Sequence, residues 1–185
     1  MNDTLRNRYT DAPTLTAEAD ETLYRIDAGQ SEVTYRVEEN LAGASHTATG
    51  TTQGIAGDIA LNTARPADSR VGDIVVNVQQ LTSDERLRDE RLRHDFLESN
   101  DYQTATFSTT GIEGLPQGLD PGTEAEFELT GDLTVKETTK PVTLTATGRL
   151  TESDELHLHA TTTVSLSSFG VGPINLVGFA SAADE

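Results

Sequence analysis

The sequence predicts an all-β, antiparallel fold, and three observations carry that prediction. Apolar and polar residues alternate with period two in about seven or eight segments between Leu23 and Leu166, the pattern of strands with one dry and one wet face. Short turn-forming connections separate these segments, the spacing of an antiparallel sandwich or barrel. Aromatics make up only 5% of the chain and there is no Trp, so the interior has to be built from Val, Leu, Ile, Ala and Thr. A barrel filled by such side chains has room for an internal void. Alternation is satisfied equally by a closed barrel and by a two-sheet sandwich, and does not choose between them.

Residues 1–21 are polar and aperiodic and read as a flexible leader, followed by a single domain over 22–185. The first alternating run, "SEVTYRV", puts Val33, Tyr35 and Val37 on one face and Thr34 and Arg36 on the other. In "TATGTTQGIAGDIALN", Gly50, Gly54 and Gly57 mark bulges or sharp bends in a long strand pair. The next runs align Ile74, Val76 and Val78, then place Phe107 in a strand, then align Phe127 with Leu129 and Leu133 with Val135. "PVTLTATGRL" aligns Val142, Leu144, Ala146 and Leu150, and "ELHLHATTTVSL" aligns Leu156, Leu158, Val164 and Leu166.

One stretch, "TSDERLRDERLRHDFLESND", breaks the alternation and is dense in helix formers. Thr82 with Glu85 three residues on has the form of a capping box, and Leu92 and Phe96 share a helical face. A short helix is expected near residues 83–97, inserted between two strands.

The net charge of −18, from 31 acidic and 13 basic residues, repels phosphate backbones and anionic membranes over about 8 Å at physiological salt. Nucleic acid is therefore not an expected partner. The acidity reads first as a solubility device, one suited to a salty, halophilic setting. The absence of Cys excludes disulfides, thiol catalysis and thiolate metal sites. No run of about 18 apolar residues is present, so no membrane-spanning helix is expected. The first 20 residues lack the apolar core of an intact signal peptide, leaving a cytoplasmic start or a start after a removed signal.

Catalytic motifs are not evident: there is no nucleophile elbow and no Gly-rich phosphate loop with Lys. His157 and His159 face one way on a strand, opposite Leu156 and Leu158, and read as a solvated pair rather than metal ligands. Arg86, Arg88, Arg91 and Arg93 are the one basic concentration. They suit either a head-group contact or pairing with Asp84, Glu85, Asp89 and Glu90 along a solvated helix, the latter being favoured.

"RLRDERLRHDFLESNDYQTATF", "GDLTVKETTKPVTL" and "TTTVSLSSFG", in that order, resemble the YceI-like family of lipocalin-like barrels, which bind polyisoprenoids and isoprenoid quinones; "YRIDAGQSEVTYRV" resembles that family's opening strand pair. The resemblance covers roughly residues 22–180. Its motif positions are Arg88, Asp89, Leu92, Arg93 and Phe96, then Phe107, then Gly131, Asp132, Leu133 and Thr134, then Lys140 and Pro141, and finally Phe169 and Gly170. It implies an eight-stranded antiparallel barrel around an elongated apolar pore, with the helical segment near one end. Departures are Glu137 where a turn glycine is usual, which argues against positive φ there, Gln103 where Pro is common, and His94 in place of a small polar residue.

From periodicity alone the inward positions are packed core. The resemblance instead implies that they touch a chain-like lipid or quinone: Val33, Tyr35, Val37, Ile74, Val76, Val78, Phe107, Phe127, Leu129, Leu133, Val135, Val142, Leu144, Leu156, Leu158 and Val164. Arg88, Asp89 and Arg93 become head-group or helix-anchoring candidates. The expected partner is thus a hydrophobic small molecule, with no required cofactor, and the expected role is lipid binding or transport. An enzyme acting on an apolar substrate, with Arg93 or His94 at the mouth, and a stress-related barrel with a self-filled core stay as alternatives. The family implies an extracytoplasmic location, in the periplasm or cell envelope. It also implies one more apolar strand beyond Glu185, hence an open seam after residues 174–180 or a homodimer that covers it.

Overall fold

The computed structural model describes residues 10–41, 44–172, 175–176 and 180–182. Among them the chain forms strands β1 (Thr22–Arg25), β2 (Val33–Leu41), β3 (Ala44–Thr52), β4 (Ile55–Ala56), β5 (Asp58–Leu61), β6 (Arg70–Val71), β7 (Ile74–Asn77) and β8 (Thr82–Ser83). A helical segment beginning as α1 (Arg86–Arg91) precedes β9 (Thr104–Glu113), β10 (Glu124–Val135), β11 (Thr138–Leu150), β12 (Leu156–Thr161), β13 (Asn175–Leu176) and β14 (Ala180–Ala182).

Pairing is antiparallel throughout, in the orders β1-β5-β6, β12-β11-β10-β9-β7-β4 and β13-β14-β2-β3-β8. These are pieces of one curled wall, because two runs of chain cross all three. β3, β4 and β5 succeed one another with only residues 53–54 and 57 between them, and their respective partners are β8, β7 and β6. The breaks fall at Gly54 and Gly57. A Cβ at Gly54 would stand 2.7 Å from Asn77 Cβ, and one at Gly57 2.5 Å from Ile74 Cδ1, so the run bends only because those side chains are missing. The expected bends are at these two glycines. Gly50 serves instead as the floor for the Tyr35 ring, which lies where its Cβ would be. The architecture is the lipocalin-like antiparallel barrel, present as a curled half-barrel. Among the described residues no pairing joins β12 to β13 or β2. The apolar stretch 174–180 lies partly outside the described residues.

β10 and β11 pair along their whole length, from Glu124↔Arg149 to Val135↔Thr138. The left-handed residue of the two-residue turn is Lys136, at φ +55°, and not Glu137. Lys136 Nζ reaches Glu98 and the Phe96 carbonyl, fastening the hairpin tip to the end of the helical segment. Between β9 and β10 the register slips by one residue at Thr110. This bulge reverses the alternation, so that Phe107 and Ile112, five apart in sequence, pack in one cluster.

The helical segment is shorter than predicted and of two kinds, α over Arg86–Arg91 and π over Leu92–Phe96. Leu97 N donates to Leu92 O at 2.8 Å. The expected capping box does not form: Thr82 pairs with Thr51 in the β3–β8 ladder, and Glu85, at the cap position, makes no side-chain cap bond. Asp89 takes over that role. Its buried carboxylate accepts from Ser83 N at 2.9 Å and Ser83 Oγ at 2.7 Å.

Residues 10–21 have no regular secondary structure, as their aperiodic sequence suggests, and from Leu15 onward they make hydrogen bonds to the strands. Leu15 N donates to Asp58 Oδ2, Arg70 donates to Thr16 O and Glu21, and Asp20 accepts from Asn62 and Arg65. This strap is held by hydrogen bonds and ion pairs, which leave no hydrophobic period to read. Arg70 holds the Glu21 carboxyl down at about 2.

Candidate functional site

The interior behaves differently at its two ends. At one end Phe107, Leu129 and Ala146 are buried, and Ile74, Ile112, Phe127 and Leu144 pack against them. Leu133 and Val142 bridge to the other end, where Val78, Leu81, Leu97, Phe169 and Val171 form a second buried cluster. That second end is hollow, with a cavity of about 180 Å³.

Five parts of the chain wall the cavity. β2 and β3 bring Tyr35, Val37 and Ala48; the run through residues 78–81 brings Val78 and Leu81; β9 and β10 bring Ala105 and Val135. The helical segment covers it with Arg88, Arg91, Leu92, Phe96 and Leu97, and the 164–171 segment closes it with Val164, Leu166, Phe169 and Val171. The π turn matters here. Widening the helix after Arg91 lets Leu92, Phe96 and Leu97 all reach one cavity. In the 164–171 segment a 3-10 turn over Ser167–Phe169 ends at Gly170, left-handed at φ +69°, which seats Phe169 and Val171 in the buried cluster.

Of the predicted lining residues, Tyr35, Val37, Val78, Val135 and Val164 border the cavity. Ile74, Phe107, Phe127, Leu129, Leu133, Val142 and Leu144 belong to the packed end or to the bridge, and Val76 packs against the hollow cluster without bordering the space. Val33 is half-buried and borders neither. Leu156 and Leu158 depart from the prediction. They lie on β12, the outer strand of its sheet among the described residues, and Leu158 rests over Gly148 while staying 45% exposed. His157 and His159 are exposed, and no group of three His, Cys, Asp or Glu among the described residues is placed to hold a metal.

The three charged candidates anchor the helix. Arg93 donates from Nε to Gln79 O at 3.0 Å and from Nη2 to Leu81 O at 2.7 Å. Arg88 pairs with Asp84 and Glu85, and its hydrogen bond to Asp84 lowers that carboxyl below the usual range. Asp89 is taken up by Ser83. Arg86 pairs with Glu90. The favoured reading of the basic cluster thus accounts for Arg86 and Arg88, while Arg93 is held by backbone carbonyls. Arg91 borders the cavity, and neither a carboxylate nor a carbonyl among the described residues pairs with it.

Sequence reasoning missed Ala48, Leu81, Leu97, Ala105 and Val171 as lining residues. Alanines carry little apolar signal, and the other three lie in turns or at a helix end, where no period marks a face. Leu92 and Phe96 were marked by their four-residue spacing as one helical face, Leu166 by its alignment with Val164 and Phe169 as a motif position, none of them as cavity lining.

The chain matches the YceI-like domain family over residues 24–185. It is 35% identical over 91 residues to a UPF0312 protein of Vibrio parahaemolyticus, covering 49% of this chain and 44% of that protein. It is 34% identical over 98 residues to protein YceI of Shigella flexneri, covering 52% and 47%. The chain thus spans about half the length of these relatives. Among solved structures it resembles Burkholderia cenocepacia BcnA, with a TM-score of 0.62 and 18% identity over 80% of this chain and 85% of that one. It also resembles a polyisoprenoid binding domain from Saccharophagus degradans implicated in plant cell wall breakdown, with a TM-score of 0.55 and 11% identity over 76% of each chain. At these identities the structural likenesses speak to fold.

Proposed function

Because this chain belongs to the YceI-like family, we propose that it is a binding protein for an elongated apolar lipid, a polyisoprenoid or isoprenoid quinone, which it sequesters or carries. The observation that supports this reading is the hollow end of the interior, a cavity of about 180 Å³ walled almost wholly by hydrocarbon beside a packed end built from the same residue types. An apolar cavity of about 150 Å³ stays dry and takes a benzene-sized guest. This one therefore holds about one isoprene unit, and a longer chain extends past the partly exposed Arg91 or parts the side chains of the packed end. Each buried methylene contributes about 0.8 kcal/mol, so one five-carbon unit supplies roughly 4 kcal/mol without polar contacts. The lining is almost wholly hydrocarbon, with Tyr35, Arg88 and Arg91 the polar residues among those described, which favours binding over turnover. An extracytoplasmic setting is part of the proposal, and fractionation of cells producing the protein tests it. Among the described residues no helix is long and apolar enough to cross a membrane.

The deciding experiment is solvent extraction of the purified protein with mass spectrometry of the extract. The expected result is a stoichiometric, unmodified isoprenoid or quinone. An extract without lipid, from protein that also takes up none of a C15 to C40 isoprenoid series, overturns the proposal.

A further inference from the structure

Deepening that reading, and resting on it, we infer that Arg91 is the polar end of the site and binds the phosphate head group of an isoprenoid ligand. Among the described residues the cavity is lined by hydrocarbon side chains except for Tyr35, Arg88 and Arg91, and of these three only the arginines carry a charge. Arg88 is engaged by Asp84 and Glu85. The neighbouring cations are engaged as well: Arg86 with Glu90, Arg93 with two carbonyls, and Lys136 with Glu98 and the Phe96 carbonyl. Arg91 stands apart from all of these. In a chain with 31 acidic residues against 13 basic ones, carboxylate partners are plentiful. Yet among the described residues Arg91 has no ion pair, although Asp95 is one helical turn away and exposed.

Its guanidinium keeps five donors in a planar fork that matches a phosphate with two parallel bonds. A half-buried arginine of this kind can lay its apolar stem along a hydrocarbon wall and carry its charge to the cavity edge. An amphiphile with its first isoprene unit in the cavity carries its head to this edge. The net charge of −18 opposes any anion at long range. Binding a phosphate here therefore depends on direct contact with Arg91, and added salt, which screens the long-range repulsion more than a contact pair, does not abolish it.

The test uses farnesyl phosphate and farnesol, identical in tail, titrated into lipid-stripped protein. Wild type is expected to bind the phosphate about tenfold more tightly than the alcohol, the worth of a charge-assisted contact. In Arg91→Met that preference disappears while farnesol binding stays within about twofold, since the apolar wall is kept. Arg91→Lys retains the charge without the fork and is expected to fall between the two, and it serves in place of Arg91→Met should that variant not fold. Equal binding of both probes by wild type, or an undiminished preference in the variants, overturns the inference and leaves the lipid-binding reading standing. Decylubiquinone binding that falls with Arg91→Met, without a phosphate preference in wild type, assigns Arg91 to a neutral carbonyl head and overturns the phosphate assignment. Failure of all three probes to bind wild type overturns this inference, while the lipid-binding reading falls only if the extract is also empty and the longer isoprenoids of the C15 to C40 series also fail to bind.

Discussion

Ala48→Leu separates the hollow interior from the ligand it is proposed to hold, because it moves stability and affinity in opposite directions. Ala48 is 2% exposed and borders the cavity of about 180 Å³, so a larger side chain there grows into empty space. Three added carbons at about 0.8 kcal/mol each contribute about 2.4 kcal/mol. Fixing the leucine rotamer costs about 0.5–1 kcal/mol, leaving a net gain of roughly 1.5 kcal/mol. For a chain of this size that raises the melting midpoint by about 3–6 °C. The same three carbons occupy room a ligand would use, so affinity for an isoprenoid falls by about 2.4 kcal/mol, or roughly fifty-fold.

The assay is a circular-dichroism melt of lipid-stripped protein together with calorimetric titration of farnesol. Stripping is needed because a bound lipid stabilises the folded form by mass action. A midpoint that drops, as overpacking by about 1–3 kcal/mol would cause, refutes the cavity. A midpoint that rises while affinity is unchanged refutes the cavity as the ligand site.

Gly131→Ala is expected to cost about 1–3 kcal/mol, since its Cβ would lie 2.5 Å from the Ser108 carbonyl oxygen and 2.6 Å from the Phe107 ring; denaturant titration measures it. Glu21→Gln is expected to loosen the strap in a pH-dependent way. The carboxyl of Glu21 is held down to about 2 from 4.5, chiefly by the hydrogen bond from Arg70, so its contribution is complete above about pH 4.5 and lost as pH falls through 2. The stability difference between wild type and Glu21→Gln should therefore close over that window, and a difference that persists below pH 2 refutes the pairing. Salt is expected to raise the melting midpoint, because screening relieves the self-repulsion of net charge −18. A flat or falling midpoint across a salt series shows instead that local ion pairs dominate.

Alternation carried the strand reading well where a strand has one wet and one dry face: β2, β10 and β11 fall where "VTYRV", "EAEFELTGDLTV" and "PVTLTATGRL" place them. It carried less where geometry departs from period two. The bulge at Thr110 hid the partnership of Phe107 with Ile112. The residue after Val135 took the left-handed turn although neither turn residue is glycine. The candidate site was legible in part, for a specific reason: periodicity says which face is dry and nothing about whether facing side chains meet. Leu144 and Val135 look alike in sequence, yet one packs against filled core and the other borders a void. What empties the second end is the helical segment and residues 164–171, which span the space with Leu92, Phe96 and Phe169. The strap was illegible because its fastenings are hydrogen bonds and ion pairs between residues up to 54 apart, which leave no periodic signal in sequence.

The strap also works as a mask over arginines. Glu18, Asp20 and Glu21 occupy Arg65 and Arg70, so a nick that releases residues 15–21 sheds three carboxylates and leaves Arg70 bare and Arg65 with Asp68 alone among these partners. An otherwise anionic molecule then carries a local cationic patch beside Arg25, whose carboxylate partner Asp58 also loses the Leu15 amide. Such a nick reports itself chromatographically, as new retention on heparin by a protein that in the intact state flows through.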